Sequence, residues 1–291
     1  PTGNFCTSDP EALGRALGEL TLLLDRHPRA RLLQIFPDDV LGGSWCHCPR
    51  CRERSAAAQY AALVAAAAGA CDARRPGTEG GFLLYHDTLS GAAEAAAALP
   101  GGRLPPNVQA LFAPRERCYA HAIDDPGCQR NQAYWSALRQ ALAAFDGRAD
   151  VFEYYGDTIL WRNFNVAIPR VIAADLRAYA RLGVREVQAL AFGSYSRWAH
   201  GLNLAVFGWL ASGALTAVEE AVARYAQEWF GAPAAPTMVE YYDALESRQP
   251  GYLAFCSYPL DWLGDLRGPG APSPHYGEHR RRAAACADGF A

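Results

Sequence analysis

Residues 32–51 read LLQIFPDDVLGGSWCHCPRC, and this stretch decides the fold. An apolar run ends in two acids, Asp38 and Asp39, and a Gly-Gly turn, Trp45 and three cysteines follow. A buried strand that ends in carboxylates and runs into a Gly-rich loop is typical of parallel α/β enzymes. The stretch therefore predicts an α/β fold whose chemistry lies at the end of this strand.

The same alternation of strand and helix repeats along the chain. Apolar runs predict five strands, near 32–36, 81–85, 108–112, 150–155 and 187–192, with helices of ordinary length between them. Such alternation predicts parallel pairing through right-handed crossovers. No G-x-G-x-x-G follows a strand and no P-loop sequence occurs, so a nucleotide-binding sheet is disfavoured.

Helices dominate the two ends of the sequence. Ser8 and Glu11 form a predicted capping box for a first helix that stops at His27-Pro28. From Leu202 onward no strand is predicted. Residues 202–215 are apolar nearly all round and are expected to be buried, and Thr216 opens a second predicted capping box.

Composition excludes several classes of partner. With a net charge of -3 and a pI near 6.2, the chain has no electrostatic footprint for nucleic acid. No apolar stretch reaches the roughly 20 residues that span a bilayer, so no membrane span is expected. Nine cysteines fit either metal ligation or an oxidising compartment, which favours a secreted or periplasmic location.

Four blocks of sequence carry a resemblance to a known family. They are CTSDPEAL at 6–13, PDD and WCHCPRC within 37–51, RERCYAHAIDDPGCQRN at 115–131, and the helices of 203–231. Together they resemble domain of unknown function 4838, found in bacterial proteins with a glycoside-hydrolase-like (β/α)8 barrel. That architecture is related to β-hexosaminidases and α-glucuronidases. The resemblance covers nearly the whole chain, and the cysteine block is its most specific part.

The resemblance implies which part of a barrel the chain contains. Three β/α units would precede the strand at 32–36 and make it the fourth. Five strands cannot close a (β/α)8 barrel. We therefore expect a fragment that begins inside the barrel, with strands four to eight in 1–200 and the last barrel helix plus a helical region in 201–291. An open five-stranded sheet is the alternative if the chain is complete.

The candidate catalytic residues are carboxylates at predicted strand ends. Hexosaminidase-type barrels carry an Asp-Glu pair at the end of strand four, and this chain has Asp38-Asp39 there. Asp39 would be the general acid and Asp38 the partner that positions substrate. Glu153, in VFEYYGD, would be the second carboxylate, as base or nucleophile. The alternatives are a polar turn for the two aspartates and an ion pair with an arginine for Glu153.

Further polar and aromatic residues gather after the predicted strands and are candidates for sugar binding. They are His86, Asp87, Tyr155, Asp157, Trp161, Tyr195 and Trp198. Aromatic rings stack on sugars, but aromatic residues are more often part of a core. Hydrolysis by carboxylates requires no cofactor.

The cysteine block predicts a structural metal site. Cys46, Cys48 and Cys51 are suited to hold zinc with a fourth ligand from Cys118, His121 or Cys128. A disulfide or free thiols are the alternatives. A catalytic zinc is disfavoured because no H-E-x-x-H or comparable histidine pair occurs.

These features predict a bacterial carbohydrate-active protein that hydrolyses a glycan at the C-terminal face of a barrel. A non-catalytic glycan-binding barrel that keeps the aromatic residues is one alternative. An interaction module that uses the cysteine loop as a recognition surface is the other.

Overall fold

The computed structural model describes residues 3–39, 44–161, 165–191, 196–248 and 253, with the backbone alone for residues 196–199. Five strands form one sheet in the order β1-β2-β3-β4-β5. They are β1 (Leu32–Ile35), β2 (Glu79–Leu84), β3 (Val108–Phe112), β4 (Ala149–Gly156) and β5 (Val187–Ala191). The pairs β1–β2, β2–β3 and β3–β4 are parallel. The predicted α/β class and the five strands are confirmed.

Helices precede the first strand, lie between all successive strands and follow the last one. They are α1 (Pro10–Arg26), α2 (Ala56–Arg74), α3 (Ala92–Ala97), α4 (Gln129–Ala144), α5 (Pro169–Leu182), α6 (Ser196–Ala211), α7 (Val218–Phe230) and α8 (Ala235–Arg248). The short α3 was not predicted, because its Ala-rich run is too brief to show helical periodicity.

The chain divides into two compact units. Unit 1 contains Pro1–Pro114, Tyr134–Phe152 and Leu182–Glu186, and unit 2 contains Arg115–Ala133, Glu153–Arg181 and Val187–Ala291. Strand β4 contributes residues to both units. The predicted boundary at residue 200 stays a prediction.

Small residues let α2 pack closely against its neighbours within unit 1. A Cβ added at Gly80 of β2 would lie 2.9 Å from the Cβ of Ala68, and one added at Gly91 would lie 2.4 Å from the Cβ of Ala57. Both separations are too short for real carbon atoms, so glycine and alanine are needed at these contacts. This close approach positions the loop before α2 beside the ends of β1 and β2.

Two predicted helix caps are wrong. Asp9, not Ser8, caps α1, and its carboxylate accepts from the backbone N–H of Glu11 at 2.9 Å and of Ala12 at 3.2 Å. Helix α7 begins after Ala217 with no side-chain cap, so Thr216 does not form the predicted capping box. The carboxylate of Asp9 reaches two N–H groups at the first turn, and Ser8 turns toward the cysteines instead.

The expected burial of residues 202–215 is also only partly right. Leu202 and Val206 are buried, whereas Ala211 and Ser212 are exposed. The helix spans Ser196–Ala211, so it begins earlier and ends earlier than the predicted apolar run. Only one face of the helix packs against the core. After Leu253 the chain lies outside the described residues.

One described helix is long and apolar enough to cross a bilayer by length and composition. It is α2, and half of its apolar window is buried inside the protein. A core helix that packs on a sheet passes the same test, and the contacts of α2 with β2 are of that kind.

Candidate functional site

The acids after β1 lie beside a histidine that follows β2. Nε2 of His86 is 3.4 Å from Oδ1 of Asp39, and the His86 side chain is 10% exposed while that of Asp39 is 80% exposed. His86 has a φ of +47°, in the left-handed region that non-glycine residues rarely occupy. Such backbone strain, on the order of 1 kcal/mol or more, gathers at functional sites. A solvent-open carboxylate is thus paired with a shielded imidazole.

Asp38 lies deeper than its neighbour and is bound to the N-terminal segment. Its backbone N–H donates to Oδ1 of Asn4 at 2.8 Å. The Asp38 Oδ2 and Asn4 Nδ2 atoms are buried and have no hydrogen-bond partner among the residues that the structure describes. Buried polar atoms are normally satisfied, so this acceptor and donor are suited to a bound polar group.

Asp87 connects the strand ends to the cysteine loop. Its Oδ2 accepts from the indole Nε1 of Trp45 at 3.0 Å. The centroid of the Trp45 ring lies 6.4 Å from that of the Tyr60 ring. The Tyr60 hydroxyl accepts from the N–H of Leu83 in β2 and donates to the carbonyl of Ile35 in β1. Trp45 and Tyr60 therefore tie the cysteine loop to both strands.

Four cysteines of unit 1 form the densest ligand cluster in the described part of the chain. The Sγ atoms of Cys6, Cys46, Cys48 and Cys51 all lie within 4.8 Å of one another, and we call this the four-sulfur cluster. The Cys6–Cys48 and Cys6–Cys51 sulfur separations are both 3.8 Å. A tetrahedron with metal–sulfur bonds of about 2.3 Å has edges of about 3.8 Å. The cluster can therefore hold a metal ion such as zinc.

A buried glutamine holds the loop that carries three of these cysteines. The Gln59 side chain, on α2, donates to the carbonyls of Cys46 at 3.3 Å, Cys51 at 3.3 Å and Arg54 at 3.2 Å. Its Oε1 accepts from the N–H of Cys46 at 3.1 Å. Because one amide satisfies four backbone groups, the loop is ordered by the protein itself.

The neighbouring groups shift the pKa values of Cys46 and Cys48 in opposite directions. The hydrogen bond with Ser8 lowers the pKa of Cys48 to about 6. The N–H of Cys48 lowers that of Cys46, but the thiol of Cys6 and burial outweigh it and raise the pKa of Cys46 to about 12. Adjacent thiols cannot all ionise without a cation, which is the condition that a bound metal relieves.

Glu153 lies in a buried network and not in an open cleft. It is fully buried, and Arg117 Nε donates to its Oε1 at 3.1 Å. The hydroxyls of Tyr119, at 3.0 Å, and Tyr179 also donate to it. Arg117 pairs in addition with Asp175, whose pKa burial raises to about 7 against the attraction of the guanidinium. The arrangement matches the alternative stated for Glu153, an ion pair with an arginine.

The other strand-end candidates of unit 2 are buried as well. Tyr155 and Trp161 are fully buried, so neither ring is open to a sugar. Asp157 is 2% exposed and pairs with Arg115 Nε at 3.0 Å. The two rings therefore belong to the packed interior, and Asp157 takes part in an ion pair. Tyr195 and the Trp198 side chain lie outside the described residues.

A second ligand group lies in unit 2, on the loop before α4. Ligand atoms of Cys118, His121 and Cys128 all lie within 4.8 Å of one another, and we call this the Cys-Cys-His group. The expectation that one of these residues completes the site of Cys46, Cys48 and Cys51 is corrected, since Cys6 supplies the fourth sulfur there. All seven described cysteines are free thiols, so the predicted disulfide alternative is absent from the described part of the chain.

Sequence reasoning missed Cys6 and the amide that holds the loop. Cys6 is 40 residues before Cys46, so spacing did not connect them, although counting all unassigned cysteines together would have suggested it. The signal for Gln59 was a lone amide among alanines at the start of α2. A polar residue on an otherwise apolar helix face has a partner to satisfy.

Comparisons with family models, with curated proteins and with solved structures gave no match to this chain.

Proposed function

We propose that this chain is part of a glycoside-hydrolase-like protein that acts on a glycan at the ends of β1 and β2. The exposed Asp39 carboxylate beside His86 is the single observation that carries the proposal. The resemblance to domain of unknown function 4838 supports it. In this proposal the sheet is strands four to eight of a (β/α)8 barrel, in which catalytic groups lie at the C-terminal ends of strands.

The burial of Glu153 favours a substrate-assisted reaction. Glycosidases that lack a second free carboxylate use the substrate's own 2-acetamido group as nucleophile. Asp39 gives its proton to the glycosidic oxygen while the acetamido oxygen bonds to the anomeric carbon and the leaving sugar departs. Water then attacks that carbon, the acetamido group is released, and Asp39 takes the water's proton. The proposed substrates are thus glycans of N-acetylated amino sugars.

Asp38 and His86 have supporting roles in this reaction. The unpartnered Oδ2 of Asp38 is suited to accept the N–H of the acetamido group and so to orient its oxygen. The largely buried imidazole of His86 contacts the Asp39 carboxylate and fixes its orientation. Trp45, which holds Asp87, offers an indole near this edge for packing against a sugar ring.

A hydrolysis screen with aryl N-acetylhexosaminides and chitin oligomers tests this proposal on the full-length protein. We expect Asp39→Asn to lower kcat at least about 100-fold, the usual contribution of a general acid. Asp38→Asn should also lower kcat, because the acetamido oxygen is then less well oriented. Asp146→Asn is the matched control, because Asp146 is 83% exposed and lies at a turn. Activity that persists in Asp38→Asn and Asp39→Asn would remove the assignment.

Non-catalytic glycan binding is the second candidate, and the buried Glu153 favours it too. A barrel that has enclosed its second carboxylate keeps a recognition surface and loses hydrolysis. Under this alternative the same oligosaccharides bind, as measured by titration calorimetry, with no product formed by the wild-type chain.

We also propose that the four-sulfur cluster holds a structural zinc ion. Structural zinc sites are four-coordinate and closed by protein ligands, which a set of four thiolates provides. Metal analysis of the purified chain should give one zinc ion fewer per chain in Cys6→Ala than in the wild type. Cys71→Ala is the matched control, since Cys71 is a buried thiol outside the cluster. Zinc content equal in both variants would rule out Cys6 as a ligand.

A further inference from the structure

The Cys-Cys-His group differs from the four-sulfur cluster in number and type of ligand. Cys118 Sγ lies 3.3 Å from Nδ1 of His121, and Cys128 Sγ completes the set within 4.8 Å of the other ligand atoms. Metal–sulfur bonds of about 2.3 Å and metal–nitrogen bonds of about 2.0 Å at tetrahedral angles separate sulfur and nitrogen by about 3.5 Å. The observed spacing is close to that value, so one ion can bind both atoms.

The loop that presents these ligands is fixed before any metal binds. The Asn131 side chain, fully buried on α4, accepts from the N–H of Cys118 at 2.8 Å. It donates to the carbonyls of Cys118 at 2.8 Å, His121 at 3.1 Å and Ala122 at 2.9 Å. Preorganised ligands lose little ordering entropy on binding. Because the loop is already ordered, a metal ion bound there would not be required for folding.

Arg117 adds a second restraint from the core of unit 2. Its NH1 donates to the carbonyls of Cys118 at 3.2 Å and His121 at 3.3 Å, while its other nitrogens bind Glu153 and Asp175. The backbone on either side of the ligands is thus connected to a buried ion network. The imidazole and the two thiols keep their positions relative to one another as a result.

The three ligand side chains differ in their exposure to solvent. Cys118 and Cys128 are buried, 5% and 8% exposed, whereas His121 is exposed. The described residues supply three ligands, and the exposed histidine places the remaining position toward solvent. Two cysteines and one histidine with one open position are a known ligand set of catalytic zinc, in which water or substrate takes the fourth place.

We propose that Cys118, His121 and Cys128 bind a divalent transition metal, zinc by ligand chemistry, and leave one coordination position open to water or a small anionic ligand. This site is independent of the glycan chemistry proposed for Asp38 and Asp39. A disulfide between Cys118 and Cys128 is the competing use of these thiols. It needs no histidine, whereas Nδ1 of His121 contacts Cys118 directly.

Cobalt substitution in the full chain tests the site. Cobalt(II) bound to thiolates in a tetrahedral site gives intense visible and charge-transfer absorption. The Cys6→Ala chain, in which the four-sulfur cluster is broken, should retain one such cobalt. Its spectrum should shift when azide is added, because azide enters the open position. In the wild-type chain only part of the cobalt absorption should respond.

His121→Ala is the decisive variant because His121 is exposed and its loss does not threaten folding. It should bind one metal ion fewer per chain than wild type and lose the azide response. His47→Ala, which removes an exposed histidine between two cluster cysteines, is the control that keeps both. Equal metal content in His121→Ala and wild type overturns the proposal. So does a Cys118–Cys128 linked peptide in a non-reduced digest of protein purified with zinc.

Discussion

Two cysteine clusters, one in each unit, are supported in the same way but differ in the origin and exposure of their ligands. Each is carried by a loop that a buried amide on the following helix holds, Gln59 in unit 1 and Asn131 in unit 2. The four-sulfur cluster encloses its centre with ligands that come from sequence positions far apart. The Cys-Cys-His group draws all its ligands from one loop and exposes one of them.

The difference separates two roles for a metal. A site that joins Cys6 to the loop of Cys46 brings together distant segments, so its binding energy is folding energy. A metal ion bound within one preorganised loop connects no distant segments. Its binding free energy is therefore not needed for folding, and the ion can bind a further ligand. The four-sulfur cluster is thus expected to determine the stability of the fold, and the Cys-Cys-His group to determine the binding of a small ligand.

The largest expected effect is loss of the four-sulfur cluster. Cys51→Ala should lower the free energy of unfolding by more than about 4 kcal/mol, the range associated with loss of a metal or a disulfide. Cys128→Ala should cost far less, because the Cys-Cys-His loop keeps its amide and arginine restraints. Urea unfolding of both variants with zinc present measures the contrast. Equal losses would break the distinction between the two clusters.

The next largest effect concerns the ion network that supports the Cys-Cys-His loop. Glu153→Gln leaves the buried Arg117 with less compensating charge and should cost about 3 kcal/mol. We expect no loss of metal from the four-sulfur cluster. Thermal unfolding, together with metal analysis, checks both statements. A Glu153→Gln chain of wild-type stability with lost hydrolysis would instead restore Glu153 as a catalytic residue.

The two amides should have similar and smaller effects. Gln59→Ala and Asn131→Ala each leave several backbone groups without partners and should cost about 2 kcal/mol. Gln140→Ala is the control, because that exposed amide contacts the side chain of Ser136 on the same helix. Hydrogen exchange should show faster exchange at Cys46 N–H in the first variant and Cys118 N–H in the second. Exchange unchanged in either loop would show that its amide is not the restraint.

The smallest effect on stability is expected at His121. An exposed side chain away from the core changes the free energy of unfolding by less than about 0.5 kcal/mol. His121→Ala should therefore unfold like wild type in metal-free buffer. A large loss of stability there would mean that His121 supports the fold, contrary to the role inferred for it.

The fold was predictable where periodicity was strong. The apolar runs predicted all five strands. Strands β2, β3 and β4 are mostly buried, as expected of continuous apolar segments in a parallel sheet, whereas β5 is partly exposed. The brief α3 was missed because it is too short to show a period, and the cap at Asp9 because Ser8 beside it could have made the same hydrogen bonds. The apolar residues 202–215 were expected to be buried throughout, but composition does not tell which helix stripe meets the core.

The site was predictable in residue type more than in partnership. The sequence singled out Asp39, His86 and three of the four clustered cysteines as candidates, but not that His86 contacts Asp39 or that Cys6 joins the cysteine loop. Glu153 shows the limit most clearly. Its place in β4 was predicted, although it lies inside the strand and not at its end, and only the tertiary packing of Arg117 and Tyr179 shows that its side chain is enclosed.

The most direct test of the contrast between the clusters is zinc X-ray absorption on two variants of the full chain. For His121→Ala we predict a shell of four sulfurs at about 2.3 Å, from the four-sulfur cluster alone. For Cys6→Ala we predict two sulfurs with nitrogen and oxygen at about 2.0 Å, the oxygen being water at the open position. An all-sulfur shell in Cys6→Ala, or no zinc there at all, would contradict the account.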